Sequence, residues 1–466
     1  MPINSFDDYP MSWKPDIEKR MGPLYKTIAQ QLEDDVREGI LTPGTRLPPQ
    51  RELADFLDIN VSTVSRAFKL CEQKGIICST VGNGTFVASD AAADPFLLSE
   101  KKLSDIIEMG PVFPSKNSNE IIAAQMEKMI TKPDFPELFQ YGRINGTLWQ
   151  KETAAKLICR AGYDVQSSQV LLANGAQNAI MAVLAGLFHA GDTIGTCEFT
   201  YPGIKTAANM LEIRLYPIPS CDDEEITAEN LLYACKNGNI KGLYVIPDMN
   251  NPTTHTLSEA SRNAIADIAR KEHLIVIEDA IHSLLYDTPR IPIAVRAPER
   301  TVYISSLSKV ISPGLRMAFL AVPESFRQKL TEALYNMNIS VPPMMAELVC
   351  QIIVSEDAGK IIEEHRNENR QRNNIVDRYL KNYDVRGVPE GIMRWLILPS
   401  HITGEAFAAS AYQQGVHVYG AECFAVGNAK SVNAVRLAVA APGTREQLAD
   451  GVQLIKKMLD ETCADY

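Results

Sequence analysis

The sequence predicts two unlike units on one chain: a small α+β module in the first ninety residues and, behind it, an α/β unit with a largely parallel sheet. Three observations predict this. Helical periodicity interrupted by turn chemistry and closed by a hairpin signal occupies the N-terminal stretch, a segment without periodicity follows, and from about residue 105 apolar β runs alternate with helical stretches without an internal repeat. At 466 residues the chain exceeds one ordinary core, and its 45% hydrophobic and 22% charged content is that of a folded protein rather than a disordered one.

In order along the module, "LYKTIAQQLEDDVREGI" places apolar residues at helical spacing and stops at Gly39, and "TPGTRLPP" is turn chemistry built from Pro43, Gly44, Pro48 and Pro49. The stretch "QRELADFLDINVSTVSRAFKLCEQKG" predicts a short helix over 50–57, a tight turn at Asp58–Asn60 and a second helix from Ser62 to Gly75, the helix-turn-helix plan. "IICSTVGNGTFVAS" then reads as two short β runs around Gly82-Asn83-Gly84, a hairpin. Together these make a winged helix-turn-helix. In such a module the second helix enters the major groove and the wing approaches the neighbouring groove. Ser62, Thr63 and Arg66 are therefore the candidate base readers, with Arg51 and the wing residues Gly82, Gly84 and Thr85 as candidate backbone contacts. Residues 1–90 hold ten Lys and Arg against thirteen Asp and Glu, so the electrostatic share of DNA binding is expected to be modest.

The whole stretch from Leu24 to Ala88 closely resembles the DNA-binding domain of GntR-type bacterial regulators. It departs from many members at Val61 and Ser65, where they carry arginines just before and within the recognition helix. Residues 1–89 are read as this domain and 90–104 ("DAAADPFLLSEKKLS" and its surroundings) as a linker. Residues 105–466 are read as the α/β unit, with a smaller subdomain from about 340.

Composition narrows the rest. Nine scattered cysteines form no C-x-x-C pair and no Cys/His cluster with metal-ligand spacing, so a reduced protein without a metal is expected. The N-terminus lacks the basic start and apolar core of a signal peptide, and no apolar run spans a bilayer; a cytoplasmic protein without membrane contact is expected. A net charge of −11 argues against a chain that coats nucleic acid along its length, while leaving one small DNA-binding module possible.

Three apolar runs of the α/β unit end in polar groups: "GLYVIP" before Asn250 and Asn251, "HLIVIED" at Asp279, and "TVYISS" before Ser308 and Lys309. Ligands of open parallel sheets bind beyond the carboxyl ends of the strands, so one site could gather all three. A lysine amine, a carboxylate, an amide and an arginine without a metal suit pyridoxal phosphate. The amine forms a Schiff base with the aldehyde, the carboxylate keeps the pyridine nitrogen protonated, and cations and hydroxyls hold the phosphate. Taken singly, a strand-end lysine is usually a solvated surface residue, and Asp279 suits a helix cap.

The stretch "SSLSKVISPGLRMAF" resembles the S-x-S-K…PGLR signature of fold type I pyridoxal phosphate enzymes of the aspartate aminotransferase superfamily, and the resemblance extends over about residues 105–460. It implies a large, mostly parallel-sheet domain with a small C-terminal α+β domain, Lys309 as the Schiff-base lysine, and Ser306, Ser308 and Arg316 around the phosphate. Gly175, Ala176 and Gln177 open a helix at the family's phosphate cradle, a place where free N–H groups favour an anion. Tyr201 takes the ring-stacking position, Asn251 the phenolic oxygen and Asp279 the pyridine nitrogen. Tyr141 is implied to reach the phosphate of a neighbouring subunit, hence a homodimer, and Arg436 in "AVRLAVAAP" to anchor a substrate carboxylate. Two positions depart from the family: Thr254 replaces the usual glycine after N-P-T, and Ile281 and His282 stand where a tyrosine is usual. His282, titratable near neutrality, is a candidate for the missing donor.

A GntR-type winged helix followed by an aminotransferase-like unit resembles the MocR group of bacterial transcription regulators. The expectation is a pyridoxal phosphate-dependent DNA-binding regulator that senses an amino acid, an amine or pyridoxal phosphate itself through aldimine chemistry at Lys309. The alternative is an active amino acid aminotransferase carrying a winged-helix extension.

Overall fold

The computed structural model describes residues 11–16, 22–42, 44–80, 84–88, 106–115, 118–219, 225–427, 429 and 432–464. The linker expected over 90–104 and the wing residue Gly82 lie outside the described residues.

The N-terminal module packs α1 (Leu24–Arg37), α2 (Gln50–Phe56) and α3 (Val61–Gln73) against a hairpin of β1 (Ile77–Thr80) and β2 (Gly84–Val87). Ile28, Ala29, Leu32 and Val36 of α1 recur at helical spacing and are buried against Val64, Ala67, Phe68 and Cys71 of α3. Burying each large aliphatic side chain contributes about 2 kcal/mol. The third helix starts one residue before the sequence signal because the side chain of Asn60 accepts the N–H of Ser62 at 2.8 Å, an N-cap. It ends at Gln73, two residues before Gly75, whose φ of +71° suits glycine. The hairpin pairs Ile77 with Val87 and Thr80 with Gly84. One contributor had no sequence signal: Trp13 inserts into this core at 4% exposure and donates its Nε1 to Asp35 at 2.7 Å.

The larger unit is built on a seven-stranded sheet. Its order is β4-β10-β9-β8-β7-β5-β6, with β4 (Val170–Ala173), β5 (Thr193–Cys197), β6 (Arg214–Ile218), β7 (Gly242–Val245), β8 (Ile275–Asp279), β9 (Thr301–Ser306) and β10 (Ala318–Ala321). Only β10 runs against its neighbours, so the sheet is mixed yet mostly parallel. Parallel register brings the ends of β7, β8 and β9 to one edge, with Val245 beside Glu278 and Asp279 beside Ile304. Helices cover both faces, among them Ala176–Leu187 and Glu259–Lys271.

A smaller sheet has the order β11-β12-β15-β14, formed by β11 (Val385–Arg386), β12 (Arg394–Ile397), β14 (Tyr419–Gly420) and β15 (Ala434–Leu437). The long helix Asp357–Tyr379 joins the two lobes: Ile361 and Ile362 pack in the large core, Val376 in the small one. The small lobe also recruits chain from far upstream. Strand β3 (Ile107–Glu108) pairs in parallel with β13 (Val416–His417), and Met109 is buried in the small-lobe core.

Candidate ligand site

The site lies beyond the ends of β7, β8 and β9. At the tip of β8, Asp279 is 2% exposed, and its Oδ2 accepts the hydroxyl of Tyr244 on β7 at 2.8 Å. Burial raises the Asp279 carboxyl to about 6. Its Oδ1 is buried with no hydrogen-bond partner among the described residues. A buried carboxylate oxygen in that condition is costly unless a donor arrives.

Lys309 follows β9. Burial, then the charges of Arg436 and Arg316, lower its amine to about 8. The amine donates to the carbonyl of Val112. Behind it the backbone N–H of Ser308 donates to Ser306 Oγ at 3.3 Å, and both serines are buried.

Arg436 sits in the middle of β15, opposite Trp395 of β12 on one side and Tyr419 of β14 on the other. It is 3% exposed. Its Nη1 donates to Asn251 Oδ1 at 2.6 Å and its Nη2 to the carbonyl of Gly110 at 2.5 Å, while Nε has no partner among the described residues. The rings of Phe424 and Tyr419 lie 4.7 and 5.5 Å from the guanidinium carbon. Burial pulls this guanidinium down to about 10, so the pocket favours an arriving anion. With its oxygen engaged by Arg436, Asn251 has the N–H side of its amide left for a ligand.

A third group of residues gathers at the N-terminus of the helix Ala176–Leu187. Its N-cap, Gly175, has φ +86° and supplies no side-chain cap, so the first N–H groups of the helix are left to an external acceptor. A Cβ at Gly175 would sit 2.6 Å from Arg316 Nη2, so glycine is required for this approach. Gln177 donates to the carbonyl of Gly203 at 2.8 Å. The ring of Tyr201 is folded over Gly203, where any Cβ would collide with it. Burial, then Asp279, raises the Tyr201 hydroxyl to about 12, so it remains protonated.

One expectation needs correction. His282 is 3% exposed, and its Nδ1 faces the carbonyl of Met249 at 3.0 Å, which places the proton on Nδ1. Burial, then Lys309, lowers the ring to about 4, so near neutral pH it is uncharged and Nε2 carries a lone pair. The donor role suggested for this ring is therefore not available to it near neutral pH. Tyr141 is 87% exposed in the single chain. Thr254 keeps a left-handed φ of +62° where glycine is usual, with its N–H donating to the carbonyl of Asn250 at 2.7 Å.

On the winged module, Arg51, Ser62 and Arg66 are exposed and Thr63 is half-buried. Arg66 stacks over the ring of Tyr25 with its guanidinium carbon 4.2 Å from the centroid. Gly84 and Thr85 open β2 at the base of the wing.

These residues fit pyridoxal phosphate. The orphaned Asp279 oxygen matches a protonated pyridine nitrogen, the glycine-opened helix end with Arg316 and the two serines matches a phosphate, and the lowered Lys309 amine matches an aldehyde. Residues 110–455 match the family described as Aminotransferase class I and II. The chain belongs to that family. Residues 24–87 match the Bacterial regulatory proteins, gntR family, so a GntR-type winged helix is fused to the family's domain, the MocR-type arrangement. Among relatives, the HTH-type transcriptional regulator YdeF of Bacillus subtilis (strain 168) is 49% identical over 461 residues, covering 99% of this chain and 100% of that protein. The vitamin B6 salvage pathway transcriptional repressor PtsJ of Salmonella typhimurium is 24% identical over 84% of this chain and 93% of its own. The crystal structure of LysN, the α-aminoadipate aminotransferase of Thermus thermophilus, superposes with TM-score 0.70 at 22% identity, covering 78% of this chain and 94% of that one. That likeness is one of fold.

Sequence reading missed Tyr244, the partner of Asp279, and the aromatic walls of Arg436. Tyr244 had one signal, a hydroxyl inside an otherwise apolar strand. The carbonyls of Gly110 and Val112 had none, because every residue carries one.

Proposed function

We propose that this chain is a pyridoxal phosphate-dependent transcription regulator that binds DNA through its winged helix and senses an amino acid in the site above β7, β8 and β9. The observation that carries the proposal is Arg436: a buried guanidinium with an unpartnered Nε, close enough to lower the Lys309 amine, on a chain that begins with a DNA-binding module. An amino acid brings the carboxylate for the one and an amine to compete with the other.

In this reading Lys309, Asp279, Asn251, Tyr201, Arg316, Ser306, Ser308 and the helix start at Gly175–Gln177 hold the cofactor. When bound, pyridoxal phosphate supplies an aldehyde that exchanges one amine for another. The chain's own residues do the rest. Arg436 orients the ligand carboxylate, Tyr201 covers the site as a neutral hydroxyl, Asp279 keeps a proton on the ring nitrogen, and the lowered Lys309 supplies a neutral amine at mildly alkaline pH. The acceptor lone pair of His282, where a hydroxyl donor is usual, favours a binding site over a fast transaminase.

We further propose a homodimer. Phe139, Tyr141, Ile144 and Leu148 expose large apolar surface within one ten-residue stretch, and a second copy would cover it while bringing Tyr141 to the partner's site. The regulator would act in the cytoplasm, where its DNA is. Among the described residues no helix is long and apolar enough to cross a membrane.

The test is fluorescence anisotropy of DNA from upstream of the protein's own gene, titrated with pyridoxal phosphate-loaded protein at fixed salt, with and without a panel of amino acids. Specific binding that shifts with an amino acid is expected. No operator preference, together with multiple-turnover conversion of an amino acid and a 2-oxo acid, would establish the aminotransferase alternative instead.

A further inference from the structure

Two of the three cations assigned to the site, Arg436 and Lys309, are held by one short piece of backbone. Arg436 Nη2 donates to the carbonyl of Gly110 and Lys309 Nζ to that of Val112. This piece is also the first described chain after the winged helix, which ends at Ala88. It spans the two lobes: Met109 is buried in the small-lobe core and Val112 in the large one.

Its upstream end is latched to the small lobe. Ile107 and Met109 donate their N–H groups to the carbonyls of Gly415 and His417 at 2.8 and 2.9 Å. Glu108 Oε1 lies 2.8 Å from His417 Nδ1 and accepts the N–H of Gly110 at 2.9 Å. A Cβ at Gly110 would sit 2.9 Å from the Tyr419 ring and 3.1 Å from Glu108 Oε1 and His417 Cε1, so a larger residue there would push these side chains aside. Glycine therefore suits the close approach of this backbone to the ring wall of Arg436.

We propose that residues 107–112 form a strap whose grip on Arg436 and Lys309 reports ligand occupancy to the winged helix. This inference rests on the reading of the site as an amino acid sensor. A carboxylate paired with the Nε–Nη2 edge of Arg436, where Nε is without a partner among the described residues, draws on the same Nη2 that holds the Gly110 carbonyl, and a charge-assisted bond is about twice as strong as one to a neutral acceptor. Condensation of the Lys309 amine with an aldehyde forms a C=N bond, releases one water and leaves the nitrogen at most one N–H, which weakens the hold on Val112. Cofactor and amino acid thus loosen different points of the strap. A ligand changes the state of the DNA-binding module only by such a difference in contacts.

Hydrogen exchange by mass spectrometry on full-length protein tests this, followed in the peptides covering 106–115. Three samples are compared: protein alone, with pyridoxal phosphate, and with pyridoxal phosphate plus an equimolar mixture of L-amino acids. The amides of Ile107, Met109 and Gly110 are expected to exchange faster with the mixture, on the order of tenfold or more, since a bond to a charged group is lost. If the mixture alters the absorbance of lysine-bound pyridoxal phosphate while exchange over 106–115 is unchanged, the strap is refuted. If it alters neither, the amino acid reading fails and two variants decide the strap without any amino acid. Arg436→Gln removes the grip from the site side and Glu108→Gln loosens the latch. Faster exchange over 107–110 in either folded, cofactor-loaded variant supports the strap, and unchanged exchange in both overturns it.

Discussion

The exposed face of α3 and the crevice above β7, β8 and β9 handle polar groups in opposite ways. Ser62 and Arg66 stand in water, and the Arg66 charge rests on the face of Tyr25. In the crevice Asp279, Arg436 and His282 are almost wholly out of water, and each is held by a specific partner. The difference teaches where single substitutions act steeply. A solvated reader loses one increment of affinity when it is removed, whereas a buried charge that loses its partner bears the full cost of desolvation.

The largest effect is expected from Lys309→Ala. The variant is expected to lose lysine-bound pyridoxal phosphate absorbance completely and the amino acid response with it, while retaining the basal operator affinity set by α3. In the intact protein the condensing species is the neutral amine, and burial has brought that amine from 10.5 to about 8. Its rate of condensation with pyridoxal phosphate should therefore rise with pH up to about 8 and flatten above. A rise that continues toward 10.5 would place Lys309 in solvent-like surroundings.

Next in size is Asp279→Asn. Removing one member of a buried charge pair costs about 3–5 kcal/mol, here in cofactor affinity measured by equilibrium dialysis. Stability should move differently. The Asp279 carboxyl is raised from 3.8 to about 6, so the folded chain binds a proton more tightly than the unfolded one. The resulting penalty is absent below 3.8 and complete above about 6. Above that pH the cofactor-free variant is expected to melt no lower than the cofactor-free parent. A lower melting temperature there would mean that the carboxylate stabilises the fold by itself.

Smaller effects follow on the solvated side. Arg66→Ala should weaken operator binding by about 1–3 kcal/mol without altering the cofactor spectrum. Tyr25→Ala should reproduce part of that loss if the stacking orients the guanidinium. The smallest expected effect is Thr254→Gly, which relieves a left-handed β-branched residue and should raise stability by about 1 kcal/mol in thermal unfolding. A destabilised variant would instead point to the Thr254 hydroxyl, which donates to the Thr253 carbonyl at 2.6 Å.

The two regions were unequally legible in the sequence. Local chemistry specified most of the winged module: Gly39 and Gly75 mark where two helices stop, and the β runs around Gly82-Asn83-Gly84 mark the hairpin, while the Asn60 cap that starts α3 at Val61 was read only as part of a turn. Trp13 escaped as well, since its core position depends on a contact with Asp35 that lies 22 residues away. In the larger unit the strand ends at Asp279 and Lys309 could be read because polar groups stop apolar runs. The partners of those groups could not. Tyr244 meets Asp279 through the register of β7 on β8, Tyr419 meets Arg436 through that of β14 on β15, and Gly110 reaches Arg436 across 326 residues. Register between distant segments is set by packing, and the tautomer of His282 is set by the carbonyls of Met249 and Asp248, which only the fold brings near.

The central claim is that the ligand site and the winged helix share one free energy, so the most direct measurement takes it from both ends. Operator affinity is measured with and without a saturating amino acid, and the affinity for that amino acid, read from the cofactor absorbance, is measured with and without saturating operator. The claim requires the same factor in both directions, about 5–150-fold for a working switch. A factor of one in both, with the amino acid demonstrably bound, would contradict it.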